Sequence, residues 1–145
     1  MKEVIRKNIL DLPYSLHDAR VSKITLEEKK IILYFSEGFY EPRNNDYLAV
    51  EGKGIISIEG SDLDFCTVYL FDSVGNSGQF SGEKYRLDAF IHEFPHMDFE
   101  IIDETYGYNQ SKFSGYFYEG DKMKECTVDI YHFGNMKYIV EKYVK

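Results

Sequence analysis

Apolar and polar positions alternate along most of this chain in short runs, broken by glycine, proline and clusters of charge. Residues 21–26 and 30–35 are two apolar-rich runs separated by Glu27-Glu28-Lys29, a pattern that predicts a β-hairpin with a tight polar turn. Ser36-Glu37-Gly38 and the polar stretch from Glu41 to Asp46 predict a long exposed loop. Residues 54–59 and 63–71, joined by Gly60-Ser61-Asp62, predict another strand pair. The second of these is apolar at nearly every position, as expected of a central strand covered on both faces.

Residues 73–82 are rich in glycine and serine and predict a loop. Beyond it, Leu87, Phe90, Ile91 and Phe94 follow the i, i+3, i+4, i+7 pattern, which predicts one short helix near 85–94 that stops at Pro95. Met97, Phe99 and Ile101 then alternate with Asp98, Glu100 and, less cleanly, Ile102, as in a half-buried strand. Residues 112–119 and 123–132 flank Gly120-Asp121-Lys122 and read as a hairpin. Gly134-Asn135 suggests a two-residue turn into residues 136–144, whose Tyr, Ile and Val content favours a strand over the helix that Met136, Ile139, Val140 and Tyr143 also fit. The opening residues 3–12 fit either a marginal helix or an extended arm.

About eight or nine strands with turn signals at regular spacing predict a mainly β fold, an antiparallel sandwich or curled sheet, in a single domain over residues 1–145. Residues 66–70 (Cys-Thr-Val-Tyr-Leu) and 126–130 (Cys-Thr-Val-Asp-Ile) look alike. Two similar core strands explain that better than a duplicated half.

Composition sharpens this picture at three points. The 13 Tyr and 11 Phe favour pleated, half-buried surfaces, and a chain of 145 residues cannot bury every phenol with its hydroxyl satisfied. A formal net charge of −8 repels polyanions, and no basic run offsets it, so nucleic acid is disfavoured, and the balance permits solubility, a cationic ligand or a basic protein partner. Cys66 and Cys126 lie in apolar runs and read as small core residues. The charged start and the lack of a long apolar run predict cytoplasmic residence, with no membrane segment.

One motif invites a catalytic reading. His92-Glu93-Phe94-Pro95-His96 fits H-E-x-x-H, in which two histidines on one face of a helix hold zinc and the glutamate acts as general base. Pro95 stands just before the second histidine and should end the helix near Phe94, taking His96 off the ligand face. A small metal-dependent hydrolase using His92, Glu93 and His96 is therefore the alternative, and no cofactor is otherwise implied. His17-Asp18 lacks the companion histidines and aspartates of a phosphohydrolase centre, so it is expected to bond backbone groups where the first strand begins. Neither the 73–82 loop nor Gly52-Lys53-Gly54 has the residues of a phosphate or dinucleotide loop.

The cluster Tyr106, Tyr108, Phe113, Tyr116, Phe117 and Tyr118, with Gly107 and Gly115, mixes core and surface. Alternation puts Phe113 and Phe117 on one face, away from Tyr116 and Tyr118. Asp46, Tyr47, Tyr106, Tyr108, Tyr116 and Glu119 are the candidates for an acidic, tyrosine-rich binding surface. The segment Leu12-Pro13-Tyr14-Ser15-Leu16-His17-Asp18-Ala19-Arg20-Val21 resembles the opening of small β-rich proteins of Gram-positive bacteria, some proposed as immunity proteins for secreted toxins. That resemblance implies a bacterial cytoplasmic binder and assigns no catalytic residue. The expectation is thus a non-enzymatic binding protein that engages a basic partner, with a self-associating homodimer as a further alternative.

Overall fold

The computed structural model describes residues 2–7, 12–43, 46–49, 52–74 and 80–141. Thirteen strands among them form two antiparallel sheets and a separate hairpin. The five-stranded sheet runs, in spatial order, β1 (Lys2–Ile5), β13 (Met136–Val140), β7 (Gly54–Ile58), β4 (Lys30–Phe35) and β3 (Lys23–Glu27). The six-stranded sheet runs β2 (Arg20–Val21), β10 (Phe99–Gly107), β11 (Gln110–Glu119), β12 (Lys122–Tyr131), β8 (Thr67–Val74) and β9 (Phe80–Arg86). β5 (Tyr40–Arg43) pairs with β6 (Asp46–Ala49). The fold is the mainly β, antiparallel sandwich that the alternation predicts, with more and shorter strands than the turn signals suggest.

Burial follows the two-residue period. In β4, Ile31, Leu33 and Phe35 are buried while Ile32 and Tyr34 are half-exposed. Cys126, Val128 and Ile130 do the same in β12, and Phe113 and Phe117 in β11. The inward side chains of both sheets join one hydrophobic cluster. Each fully buried large apolar side chain in it contributes about 1.5–3 kcal/mol relative to exposure. Both cysteines are free and inside this cluster, and burial pushes the Cys126 thiol up to about 12.

The helix α1 (Leu87–Glu93) closes one end of the sandwich. Leu87 and Phe90 are buried, and Phe90 and Phe94 pack their rings on Phe117 at 5.7 and 5.0 Å between centroids. Phe94 leaves helical geometry at φ −124° and ψ 75°, one residue before Pro95, as the proline restriction requires.

Several local expectations are corrected. Residues 2–5 form an edge strand on β13, so the opening is extended rather than helical; the notional helix over 3–12 runs partly into residues outside those described. Of the polar stretch predicted as a loop, Glu41, Pro42 and Arg43 belong to β5 and Asp46 to β6, and residues 44–45 lie outside those described. Residues 80–86, assigned to a loop and the helix start, form β9. The strands on either side of Gly60-Ser61-Asp62 do not pair. β7 belongs to one sheet and β8 to the other, and a 3-10 turn (Leu63–Phe65) makes the crossing. Gly134-Asn135 likewise passes the chain between sheets, and β13 pairs with β7 and β1 rather than with β12. β8 is interior in its sheet but covered on one face only, with Val68 and Leu70 buried and Tyr69 and Phe71 half-exposed. The look-alike segments 66–70 and 126–130 pair with each other, Val68 opposite Val128.

One irregularity positions everything that follows. The β10–β11 register shifts between Ile101 and Asp103, leaving Ile102 as an extra residue. The bulge re-aims the strand. Phe99 and Ile101 face the core before it, Glu104 and Tyr106 after it, and Asp103 turns outward beside Glu100. Gly115 lies opposite, where a Cβ would overlap the Glu100 carbonyl, so the close approach of the two strands demands glycine.

Candidate functional site

Inside the sandwich the bulge brings a carboxylate into the core, and the Leu16-His17-Asp18 turn satisfies it. Leu16 N–H donates to Glu104 Oε2 at 2.7 Å, and the Tyr106 hydroxyl donates to Glu104 Oε1 at 2.6 Å. Burial pushes the Glu104 carboxyl above its ordinary range, opposed by those two bonds and by Arg6. The Arg6 guanidinium lies over the Tyr106 ring at 4.3 Å. The Tyr138 hydroxyl is buried close enough to couple to Tyr106, yet makes no hydrogen bond of ordinary geometry.

The rest of the turn clamps the bulged strand. Ala19 N–H donates to Leu16 O at 2.9 Å, with Asp18 at φ +68°, the pattern of a type II turn. His17 Nδ1 meets Ile102 O at 2.7 Å, and Asp18 N–H donates to Ile101 O at 2.8 Å. The His-Asp pair therefore bonds backbone groups at the start of β2, as the sequence suggests. It ties the turn to the carbonyl that the bulge leaves free.

Beside this cluster, Ser111 Oγ and His132 Nε2 lie 2.8 Å apart, and His132 Nδ1 is 3.0 Å from Gly134 O. The spacing is that of a nucleophile and its base. Ser111 has 0% of its surface exposed and His132 4%, so no substrate reaches them. Burial lowers the His132 pKa, and a backbone carbonyl takes its second nitrogen. The pair is a satisfied piece of polar core.

The outer face of the six-stranded sheet is different. Register lines up Arg20, Glu100, Tyr116, Glu125, Phe71 and Gly82 in one row across all six strands. The adjacent row is Asp103, Ser114, Thr127, Tyr69 and Lys84. Where the rows meet, the small residues Ser114, Gly115 and Thr127 floor a hollow of about 230 Å³, walled by Phe71, Ile102, Asp103, Tyr116 and Glu125.

The margins of this face already hold cations on aromatic rings. Arg20 lies over the Tyr118 ring at 4.9 Å and pairs with Asp98 at 2.8 Å, while the Tyr118 hydroxyl donates to Glu100 at 2.7 Å. Lys84 lies over Tyr69 at 5.7 Å. The central hollow repeats the chemistry of ring and carboxylate, but neither Asp103 nor Glu125 forms an ion pair with a described lysine or arginine.

The six sequence candidates do not converge. Tyr116 walls the hollow. Tyr106 is 8% exposed and points inward, because the bulge shifts the alternation of β10 by one residue; it is core, not surface. Tyr108 is 95% exposed at the tip of the β10–β11 hairpin. Glu119 sits at the far end of β11, roughly 30 Å away along the strand, paired with Lys124 at 3.5 Å. Asp46 and Tyr47 are on the β5–β6 hairpin. His92 and His96 are exposed on either side of the helix end and share no helix face, and no group of three or more metal-ligating side chains occurs among the described residues. The zinc-protease geometry is not formed.

Sequence reasoning missed Asp103, Glu125 and Phe71, which only the strand register brings together. It also missed an exposed aromatic cluster near the Tyr108 end. Phe65 (64% exposed), Tyr131 and Phe133 (66%) pack tilted and edge-to-face, at 5.7 and 5.2 Å between centroids.

Fold and site together define an antiparallel β-sandwich whose outer six-stranded face carries aromatic rings and charges of both signs. No protein-family model, curated protein or solved structure matches the chain. Among the described residues no helix is long and apolar enough to cross a membrane.

Proposed function

We propose that this is a non-enzymatic binding protein whose outer sheet face engages a basic partner. One observation carries the reading. The central hollow offers Tyr116, Phe71, Asp103 and Glu125 around a floor of small residues, while the same face holds arginine and lysine on tyrosine at its margins. A partner's arginine or lysine seats in the middle as Arg20 seats at the edge. The net charge of −8 steers such a partner inward and makes the association salt-sensitive. The test is to titrate a labelled tetra-lysine peptide and map backbone amide shifts. The reading expects shifts centred on Tyr116, Glu125 and Asp103 that fade as salt rises. Shifts centred elsewhere, or none at low salt, would refute it.

The exposed rings of Phe65, Tyr131 and Phe133 favour a second reading, self-association through that end of the sandwich. Sedimentation at rising concentration would show a dimer that Phe65→Ser abolishes. A monomer throughout would exclude it.

A further inference from the structure

The turn that carries His17 and Asp18 also borders a second concavity, of about 290 Å³, lined among the described residues by Ser15, His17, Asp18, Tyr40 and Tyr47. Two of its walls come from the β5–β6 hairpin. Tyr47 stands opposite Pro42, two residues beyond Tyr40, so strand alternation puts both phenol rings on one face. Ser15 and Tyr40 exchange backbone hydrogen bonds of 2.7 and 3.1 Å, which hold the hairpin against the turn.

His17 has one neutral tautomer here. Its Nδ1 faces the Ile102 carbonyl at 2.7 Å, and a carbonyl only accepts, so Nδ1 keeps the proton and Nε2 keeps a lone pair. That lone pair lies 3.5 Å from the Asp18 carboxylate. Two acceptors side by side need hydrogen between them. At this half-exposed position a proton on Nε2, solvent, or a ligand's N–H groups supply it. Asp18 holds this position at φ +68°, the left-handed conformation that the third residue of a type II turn takes.

The Ile102 carbonyl, then Asp18, Asp103 and Glu100, favour the charged form of His17, and the buried Glu104 also feels it. Tyr40 and Tyr47 complete the titratable wall. His17 is the only cationic side chain among the described residues of that lining.

The geometry points to a guanidinium-binding site: an arginine-type fork lying against the Tyr40 and Tyr47 rings, donating in parallel to Asp18 and to Nε2 of neutral His17. A planar fork with paired N–H groups matches two adjacent acceptors and stacks on phenol faces, which a point-like ammonium does less well. Protonation of His17 fills the same position with its own N–H and adds a like charge, so proton and ligand compete. The site meets the sheet hollow at the Ile102 bulge, whose carbonyl faces His17 Nδ1, and stands without the reading given for that hollow.

The experiment is titration of N-acetylarginine methylamide followed by NMR of the His17, Tyr40 and Tyr47 rings. At about pH 8 those rings shift together, and binding weakens by about tenfold or more at about pH 5.5, where His17 is charged. Asp18→Asn weakens binding at the higher pH by a similar factor, and asparagine tolerates the left-handed backbone, so the fold survives the change. Tyr47→Ala, at an exposed position, weakens it as well, whereas Glu125→Gln in the sheet hollow does not. Silence of the three rings at the higher pH, equal affinity at both pH values, or an Asp18→Asn protein that binds like the parent would each overturn the assignment.

Discussion

The two faces of the six-stranded sheet use the same residue types to opposite ends. On the inner face the Glu104 carboxylate accepts from Leu16 N–H and the Tyr106 hydroxyl, with Arg6 stacked behind that tyrosine. One residue earlier, Asp103 turns outward, and with Glu125, Tyr116 and Phe71 it walls a hollow that no described lysine or arginine fills. The inner acid has its hydrogen-bond partners within the fold, while the outer acids face solvent. An acidic, tyrosine-rich composition therefore means different things on the two sides of a single strand. The bulge at Ile102 decides which side each residue takes.

Adjacent residues on β11 give the largest contrast. Phe117 is 2% exposed and packs on Phe90 and Phe94, so Phe117→Ala should cost about 3–5 kcal/mol. Tyr116→Ala, one position along on the outer face, should change stability by less than about 1 kcal/mol. Urea unfolding of the two variants checks both. Comparable losses would mean that the outer row is part of the core.

Removing the inner acid comes next. Glu104→Ala leaves Leu16 N–H and the Tyr106 hydroxyl without their acceptor in a buried place, at a cost of about 2–3 kcal/mol. Glu125→Ala on the outer face should be nearly neutral by the same assay, since it breaks no bond with a described residue.

The smallest expected effect is a pH dependence. Burial lowers the His132 pKa from its ordinary 6.5, so the unfolded chain binds the proton more tightly. The stability that neutral His132 contributes is complete above that ordinary value and is lost as pH falls through it toward the lowered one. His17 and Glu104, whose pKa values are raised, act in the opposite sense, so the readout is the difference between parent and His132→Asn: from about pH 7 down to about pH 5 the parent's denaturation midpoint should fall relative to the variant's. A parent midpoint that rises relative to the variant's over that range would reverse the assignment of His132 as a buried neutral group.

How far the sequence reveals this arrangement depends on the range of the interaction. The α1 spacing, the Lys30–Phe35 alternation and the Gly120-Asp121 turn are local and were legible. The sheet to which a strand belongs is not local. Gly60-Ser61-Asp62 and Gly134-Asn135 look like hairpin turns, but both carry the chain across the sandwich. The bulge leaves a trace, the Ile101-Ile102 doublet that interrupts alternation, yet a doublet does not say that Tyr106 will turn inward. Tyr116 could be read as an outward residue of β11. Its grouping with Glu125 and Phe71 depends on register across three strands, which no segment of sequence carries by itself.

The most direct test of the central claim is calorimetric titration of a tetra-lysine peptide into the parent protein and into Tyr116→Ala and Glu125→Gln at low salt. The account predicts that each substitution weakens binding by about tenfold or more while unfolding midpoints stay close to the parent's. Undiminished affinity in both variants would contradict it, and would move the role of this protein away from the outer face of its six-stranded sheet.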